Sequence, residues 1–228
     1  SATLLPVNYY KNLLSSKKDN YAVYADSTFR EEQRLLFIGR DISSLYTRRT
    51  IGEFQRIAQY IQLVLRSRKG NYLIFFPSYR FRKDVYEQFL AINEREADCI
   101  MQSANMNEAE REDFMQEFAE SREKSLAAFC VLGGIFSEGI DLKEDLLIGV
   151  LIIGTGLPQI CTQREILKEY YQRENGQGFD YAYQYPGMNK VLQAAGRVIR
   201  TASDRGIIGL LDNRFLRNDY QQLFPREW

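Results

Sequence analysis

Two arginines and a glutamine late in the 228-residue chain have a spacing that could bind an anion. If residues 188–200 form a helix, Gln193, Arg197 and Arg200 fall within a sector of roughly 60° at about 100° per residue. No acid lies among them, so the two cations repel each other. Planar guanidinium groups pair well with phosphate oxygens. The spacing favours a phosphate ligand, and the alternative is a solvated basic face with Arg200 paired to Asp204.

The other residues of this stretch predict how it packs. Gly196 costs about 1 kcal/mol relative to alanine inside a helix, but it lets a ligand or another backbone approach closely. The opposite side of the same helix carries an apolar stripe at helical spacing, which we expect to face the core. The stripe consists of Met188, Val191, Leu192, Ala195, Val198 and Ile199.

A glycine-rich loop at Gly133–Leu142 directly follows a buried strand candidate. It holds the hydroxyl of Ser137, the acids Glu138 and Asp141, and Gly139 between them. In doubly wound sheets, ligands bind beyond the carboxyl ends of the strands. The loop therefore suits backbone contact with an anion and hydrogen bonds to hydroxyl groups. The alternative is a tight turn whose acids are only solvated.

A third candidate follows the second apolar run. Ser78, Tyr79 and Arg80 combine a hydroxyl, an aromatic ring and a cation, a mixture that suits a nucleic-acid backbone and stacked bases. A solvated helix start explains the same residues nearly as well. The run Arg48-Arg49 has no special geometry, and we interpret it as surface.

Composition excludes several classes of function. Basic and acidic residues number 30 each, so no net field attracts a polyanion, and the absence of histidine removes the commonest general base and metal ligand. Cys99, Cys130 and Cys161 lack metal-ligand spacing and are interpreted as reduced thiols of a cytoplasmic protein. No phosphate-binding G-x-x-x-x-G-K-[ST] sequence occurs. No apolar run approaches the ~18 residues of a membrane span, so we expect no membrane partner.

Apolar runs that alternate with helical patterns predict an α/β fold with a mainly parallel sheet covered by helices on both faces. We expect residues 1–34 to form a lead-in segment packed on one domain over 35–228. Residues 175–186 are rich in glycine and tyrosine and are predicted to be a connector. The strand candidates are Leu35–Ile38, Tyr72–Phe76, Ala97–Met101, Leu126–Leu132, Leu146–Ile153 and Ile207–Leu211.

In this order the segments resemble the second RecA-like motor domain of a superfamily 2 DNA helicase of the XPD/DinG type. The resemblance covers roughly residues 35–220. Phe75–Tyr79 resembles motif IV of such helicases, Gly133–Leu142 resembles motif V, and Gln193–Arg200 resembles motif VI. The segments Gly149–Pro158, Tyr183–Lys190 and Asp204–Phe215 are also similar to that branch.

The resemblance implies an ATP-driven motor on single-stranded DNA, often in DNA repair, with ATP bound between two RecA-like domains. The first domain, absent here, would hold the phosphates and Mg²⁺, and any iron–sulfur cluster would belong to it rather than to this chain. The residues carried over by position are Arg197 and Arg200 as catalytic arginine fingers, Gln193 as a coupling residue, Glu138, Gly139, Asp141 and Gly196 at the ATP cleft, and Ser78, Tyr79, Arg80 and Ser137 on the nucleic acid. The alternative function is a non-motor module that binds nucleic acid or protein on the same fold.

Overall fold

The structure is a computed structural model that describes residues 4–15, 21–24, 29–136, 142, 146–199, 201 and 203–228. Its strands are β1 (Arg34–Ile38), β2 (Asn71–Phe76), β3 (Ala97–Met101), β4 (Ser125–Val131), β5 (Gly149–Ile153) and β6 (Gly206–Leu211). Within these residues they form one six-stranded sheet in the order β1-β6-β5-β2-β4-β3. Every pairing is parallel, which confirms the predicted sheet.

The burial of each strand follows its position in the sheet. Every residue of β4, β5 and β6 is buried, and so is all of β2 after Asn71. The edge strands β1 and β3 are mostly half-buried. Central strands of a parallel sheet have helices on both faces, so their residues must be apolar throughout. This is why the unbroken apolar runs identified the strands.

Seven α-helices connect and cover the strands in the described part of the chain. Side chains cap the start of α4, the helix over Glu108–Gln116. The Asn107 side chain accepts from the Glu110 backbone N–H at 3.0 Å, and Glu110 accepts from the Asn107 N–H at 2.8 Å. The helices are α1 (Val7–Leu14), α2 (Ile51–Ser67), α3 (Tyr79–Ile92), α4 (Glu108–Gln116), α5 (Thr162–Asn175), α6 (Tyr185–Ala195) and α7 (Asn218–Gln221).

The chain crosses the sheet first in one direction and then in the other. From β1 through β2 to β3 it moves toward one edge, and α2 and α3 cover one face, where they pack on Tyr72, Ile74 and Phe76. From β3 onward it returns, and α4 and α6 cover the opposite face, over Leu73 and Phe75. The alternation of side chains along β2 thus divides the core into two layers.

The segment predicted to be a connector, residues 175–186, is largely helical instead. Helix α5 ends at Asn175 and is capped by Gly176, whose φ of 75° suits glycine. Residues 178 and 179 are already helical, and a π-helical turn at Asp180–Gln184 leads into α6. Buried Tyr181 stacks on Tyr171 with ring centroids 4.0 Å apart and meets Tyr9 of α1 edge-on at 5.2 Å. Aromatic packing between distant segments outweighs the local composition here.

The predicted helix over residues 188–200 is too long at its C-terminal end. Helix α6 ends at Ala195 and Gly196 caps it, after which Val198 donates to the Ala195 carbonyl at 3.3 Å in a tighter turn. Val198 is 3% exposed, because its side chain enters the core beside Gly206. Arg197 therefore follows the helix instead of lying on its polar face. The predicted apolar stripe is confirmed as buried or half-buried.

The contact between Val198 and Gly206 makes a testable prediction about stability. A Cβ at Gly206 would lie 1.8 Å from Val198 Cγ1, so Gly206→Ala should lower the free energy of unfolding by about 1–3 kcal/mol through overpacking. In α2, Gly52 has nothing within 4 Å of its Cβ position, so Gly52→Ala should stabilise by up to about 1 kcal/mol. Urea unfolding measures both. If Gly206→Ala lowers stability equally in a Val198→Ala background, the explanation is wrong.

Candidate nucleotide and nucleic-acid site

The segments that follow β1, β2, β5 and β6 converge at the carboxyl edge of the sheet. Gly154, just after β5, has a φ of +87°, and a Cβ there would lie 2.6 Å from Ser44 Oγ and 3.8 Å from Pro77 Cγ. Ser44 belongs to the connection from β1 to α2, and Pro77 follows β2. The connections that leave the neighbouring strands β5 and β2 run toward opposite edges of the sheet, and doubly wound sheets bind their ligands at such a point. We therefore take this edge as one candidate site.

A buried ion pair holds this edge together. Asp212, which follows β6 and is 0% exposed, accepts from Arg214 Nε at 2.9 Å and from Arg214 Nη2 at 2.9 Å. Its Oδ2 atom also accepts from the backbone N–H of Ser44 at 2.9 Å and from Ser44 Oγ at 2.7 Å. Burial alone would raise the pKa of Asp212, but the charge and hydrogen bonds of Arg214 and Ser44 lower it below its ordinary value. The carboxylate thus remains charged although it is buried.

A second buried carboxylate holds the residue beside Ser44. Glu53, which is 4% exposed, accepts from the Ser43 backbone N–H at 2.5 Å. Arg56 Nη1 lies 3.5 Å and Arg48 Nη2 lies 3.8 Å from its other oxygen. Two consecutive backbone N–H groups of one connection therefore bind buried acids from two different elements. That connection is fixed in position.

Three predicted nucleic-acid residues lie at the same edge, at the start of α3. Ser78 caps this helix, with its Oγ accepting from the Phe81 N–H at 3.3 Å. Tyr79 is 37% exposed and accepts from Gln102 Nε2 at 3.3 Å through its hydroxyl, and Arg80 is exposed. The guanidinium of buried Arg82 lies 5.1 Å from the Tyr79 ring centroid. The structure shows a helix start that presents a ring and a cation to solvent, and contact with nucleic acid stays a prediction.

The predicted ATP-contacting residues that are described lie in α6 or directly after it. Near its first turn, a Cβ at Gly187 would be 2.7 Å from the Thr155 carbonyl, which follows β5 at the carboxyl edge. Beyond its last turn, Val198 meets Gly206, the first residue of β6. The helix therefore runs from the carboxyl edge to the amino edge of the sheet. Half-buried Gln193, exposed Gly196 and half-buried Arg197 lie toward the amino edge, away from Ser78, Tyr79 and Arg80.

The remaining predicted site residues are Ser137, Glu138, Gly139, Asp141 and Arg200, and they lie outside the described residues. The start of the glycine-rich loop is described. Gln102 Oε1 accepts from the Val131 N–H at 2.9 Å, and a Cβ at Gly133 would lie 3.0 Å from Lys190 Nζ of α6. This loop thus leaves the sheet between β3 and α6.

Sequence reasoning missed the pairing of Asp212 with Arg214 and the role of Glu53. The segment around Asp212 had only been noted for its resemblance, and no signal pointed to Glu53. In the part of the chain that the structure describes, no cluster of three or more histidine, cysteine or acidic residues could hold a metal ion. Of the described helices, none is long and apolar enough to cross a membrane.

The parallel sheet, its two helical layers and its strand order define a RecA-like domain, the class of fold found in helicase motors. The sequence pattern of the helicase C-terminal domain family matches residues 61–228. The chain therefore belongs to this family, and within it to the XPD/DinG type that the motifs had indicated.

Individual relatives agree with this assignment. The ATP-dependent DNA helicase XPD of Sulfolobus acidocaldarius is 27% identical over 94% of this chain. The ATP-dependent DNA helicase YoaA of Escherichia coli is 25% identical over 76% of it. The chain spans only 38% and 26% of the lengths of these two relatives.

Solved structures agree on the fold. A solved XPD helicase superimposes with a TM-score of 0.67 at 24% identity, covering 83% of this chain and 33% of that one. The solved Xpd4 of S. tokodaii gives a TM-score of 0.65 at 14% identity, covering 93% of this chain and 40% of that one.

The ion pair at the carboxyl edge predicts a pH-dependent loss of stability. Asp212→Asn leaves Arg214 as a buried, uncompensated charge, so the free energy of unfolding should fall by about 3–5 kcal/mol at neutral pH. The pKa of Asp212 is lower in the folded state than its ordinary 3.8, so its contribution is complete above 3.8 and is lost as pH falls through the folded value. The difference from wild type should therefore shrink below that pH in urea titrations.

The control for this measurement is Glu169→Gln, which removes an ion pair between side chains that are 71% and 83% exposed. It should change the free energy of unfolding by no more than about 1 kcal/mol at any pH. If Asp212→Asn lowers the free energy of unfolding by as little as the control does, or by an amount independent of pH, the buried pair does not stabilise this edge.

Proposed function

We propose that the chain is the second motor domain of an ATP-dependent DNA helicase and that it works against a first RecA-like domain that binds ATP and Mg²⁺. The observation that carries this proposal is the match of residues 61–228 to the helicase C-terminal domain family on a RecA-like sheet. The names of the relatives support DNA as the substrate.

On the ATP side, Arg197 and Arg200 act as arginine fingers that stabilise charge on the γ-phosphate during hydrolysis. Support comes from exposed Gly196 directly before Arg197, because a glycine has no side chain to block the approach of a phosphate. Gln193 lies in the last turn of α6, four residues before Arg197, and couples the nucleotide to the domain interface. Glu138, Gly139 and Asp141 contribute to the same cleft from the glycine-rich loop.

For Mg²⁺ itself, the described residues offer no cluster of acids, so the proposal assigns the ion to the first domain. When bound, Mg²⁺ neutralises charge on the phosphates. This chain then binds the phosphate group from the other side and excludes water from it. Opening and closing of the cleft between the two domains move them along the single-stranded DNA.

On the DNA side, Ser78, Tyr79, Arg80 and Ser137 contact single-stranded DNA. The support comes from the carboxyl edge, where Ser78 starts α3 and Tyr79 and Arg80 are exposed. A ring and a cation side by side suit stacking on bases and pairing with phosphates, both of which are independent of sequence. Other details of the family, including a role in DNA repair and a cytoplasmic location, belong to the same proposal.

The chain by itself should hydrolyse ATP negligibly. The catalytic phosphate loop and the magnesium-binding acids are proposed to lie on the first domain, and arginine fingers alone do not position the attacking water. Release of inorganic phosphate from the purified 228-residue chain measures this directly. Robust turnover that Arg200→Ala abolishes would contradict the division of the site between two domains.

In the complete helicase, Arg197→Ala should lower ATP hydrolysis by about a thousandfold while single-stranded DNA affinity stays close to that of wild type. Arg197→Lys should remain impaired, because lysine keeps the charge but loses the planar set of donors. The matched control is Arg173→Ala in α5, which removes an arginine that is 83% exposed and should change neither property. Equal losses of hydrolysis and DNA binding in Arg197→Ala would count against the finger assignment.

A further inference from the structure

The connection from β1 to α2, residues 39–50, carries groups that the proposed function does not use, and we name it the β1–α2 loop. We propose that this loop is a further contact site for single-stranded DNA, in which the Tyr46 ring stacks on a base and Arg48 pairs with a phosphate. The inference rests on the proposed DNA-binding function and extends it to a surface beside Ser78, Tyr79 and Arg80.

The first support is the way the loop is built. Surface connections are ordinarily the more mobile parts of a domain. Here Ser43 and Ser44 donate their backbone N–H groups to Glu53 at 2.5 Å and to Asp212 at 2.9 Å, and both acids are buried. The carbonyl of fully buried Ile42 accepts from the Asn213 N–H at 2.8 Å. Such fixation positions a binding group in advance and lowers the entropic cost of binding.

The second support is what the fixed loop presents to solvent. Tyr46 is 81% exposed, and the Arg48 side chain is 56% exposed. The Arg49 guanidinium lies 5.4 Å from the Tyr46 ring centroid and 4.8 Å from that of Phe81. The Arg49 guanidinium therefore lies against the Tyr46 ring, while most of the Tyr46 side chain is exposed and can stack on a base. Stacked aromatic and guanidinium groups are the usual platform for unpaired bases.

The third support is continuity with the proposed nucleic-acid residues. Arg49 contacts Phe81 in the first turn of α3, the helix that Ser78 caps, so the loop and the start of α3 form one surface. The acids of the loop region already have partners within the domain. Glu53 accepts from Ser43 and lies 3.5 Å from Arg56 and 3.8 Å from Arg48. Asp41 accepts from Tyr60 at 2.5 Å. Arg48 keeps a 56% exposed side chain beside this contact, so its guanidinium can also pair with a phosphate from solvent. The exposed cation Arg48 and the exposed ring thus match an unpaired, negatively charged strand more closely than an acidic or a purely apolar protein surface.

The test uses the complete helicase and two fluorescent oligonucleotides of equal length, one of thymidines and one of abasic sites, with affinity measured by anisotropy. Tyr46→Ala should weaken binding to the thymidine strand about tenfold, because a stacked base is lost. Its affinity for the abasic strand should not change. Tyr46→Phe keeps the ring and should behave as wild type. Arg48→Ala should weaken binding to both strands, because both carry phosphates.

Two exposed residues elsewhere in the chain serve as matched controls. Tyr21→Ala removes a side chain that is 98% exposed, and Arg173→Ala removes one that is 83% exposed, so neither should affect binding to either strand. A Tyr46→Ala loss of equal size on the thymidine and abasic strands would overturn the stacking step. Unchanged binding in Tyr46→Ala and in Arg48→Ala would overturn the inference as a whole.

Failure of the inference can be separated from failure of the proposed function by Arg80→Ala. Suppose that Arg80→Ala weakens binding to single-stranded DNA while Tyr46→Ala and Arg48→Ala do not. The DNA-binding function then stands, and the β1–α2 loop does not contact the DNA. If the wild-type helicase binds neither strand, the proposed DNA-binding function itself fails, and the inference fails with it.

Discussion

The buried charge of Asp212 is the interaction on which the carboxyl edge of the sheet depends. An ionised carboxylate that is 0% exposed is tolerable only if it is fully hydrogen-bonded and paired. Arg214 supplies the countercharge, and Ser44 supplies both its backbone N–H and its hydroxyl. Ser44 and Asp212 are 168 positions apart in the sequence. The hydrogen bonds to this one carboxylate therefore join the segments that follow the first and the last strand of the chain.

Other features of this edge follow from that constraint. Ser44 can reach Asp212 only if the β1–α2 loop crosses above the end of β5, which requires a residue without a Cβ at Gly154. The same crossing brings Arg49 to Phe81 at the start of α3. Packing of the loop and placement of α3 are thus linked through glycine and serine, two residues whose small size allows close approach. A larger residue at either position would separate the layers of this edge.

Local physics determined how much of this could be predicted from sequence. Strands buried on both faces leave unbroken apolar runs, so the predictions Tyr72–Phe76 and Ile207–Leu211 each matched a central strand to within one residue. The predictions for residues 175–186 and for the end of α6 were wrong, because both conformations depend on contacts between distant segments. Tyr181 packs on Tyr9, and Val198 packs on Gly206. The candidate site divides in the same way, since motifs indicated Ser78 and Arg197, whereas Glu53 and Asp212 act through contacts that no spacing reveals.

The path of α6 across the sheet has a mechanical consequence. Its 11 residues form a rod of about 16 Å. At one end Gly187 touches the backbone of Thr155, and beyond the other end Val198 fills the space over Gly206, so both ends abut surfaces that leave no room for an added methyl group. Close contacts at both positions mean that the helix cannot shift far relative to the sheet without disturbing its packing. Any displacement at Arg197 must therefore also move the contact of Val198 with Gly206, so the backbone beyond α6 is mechanically coupled to the start of β6.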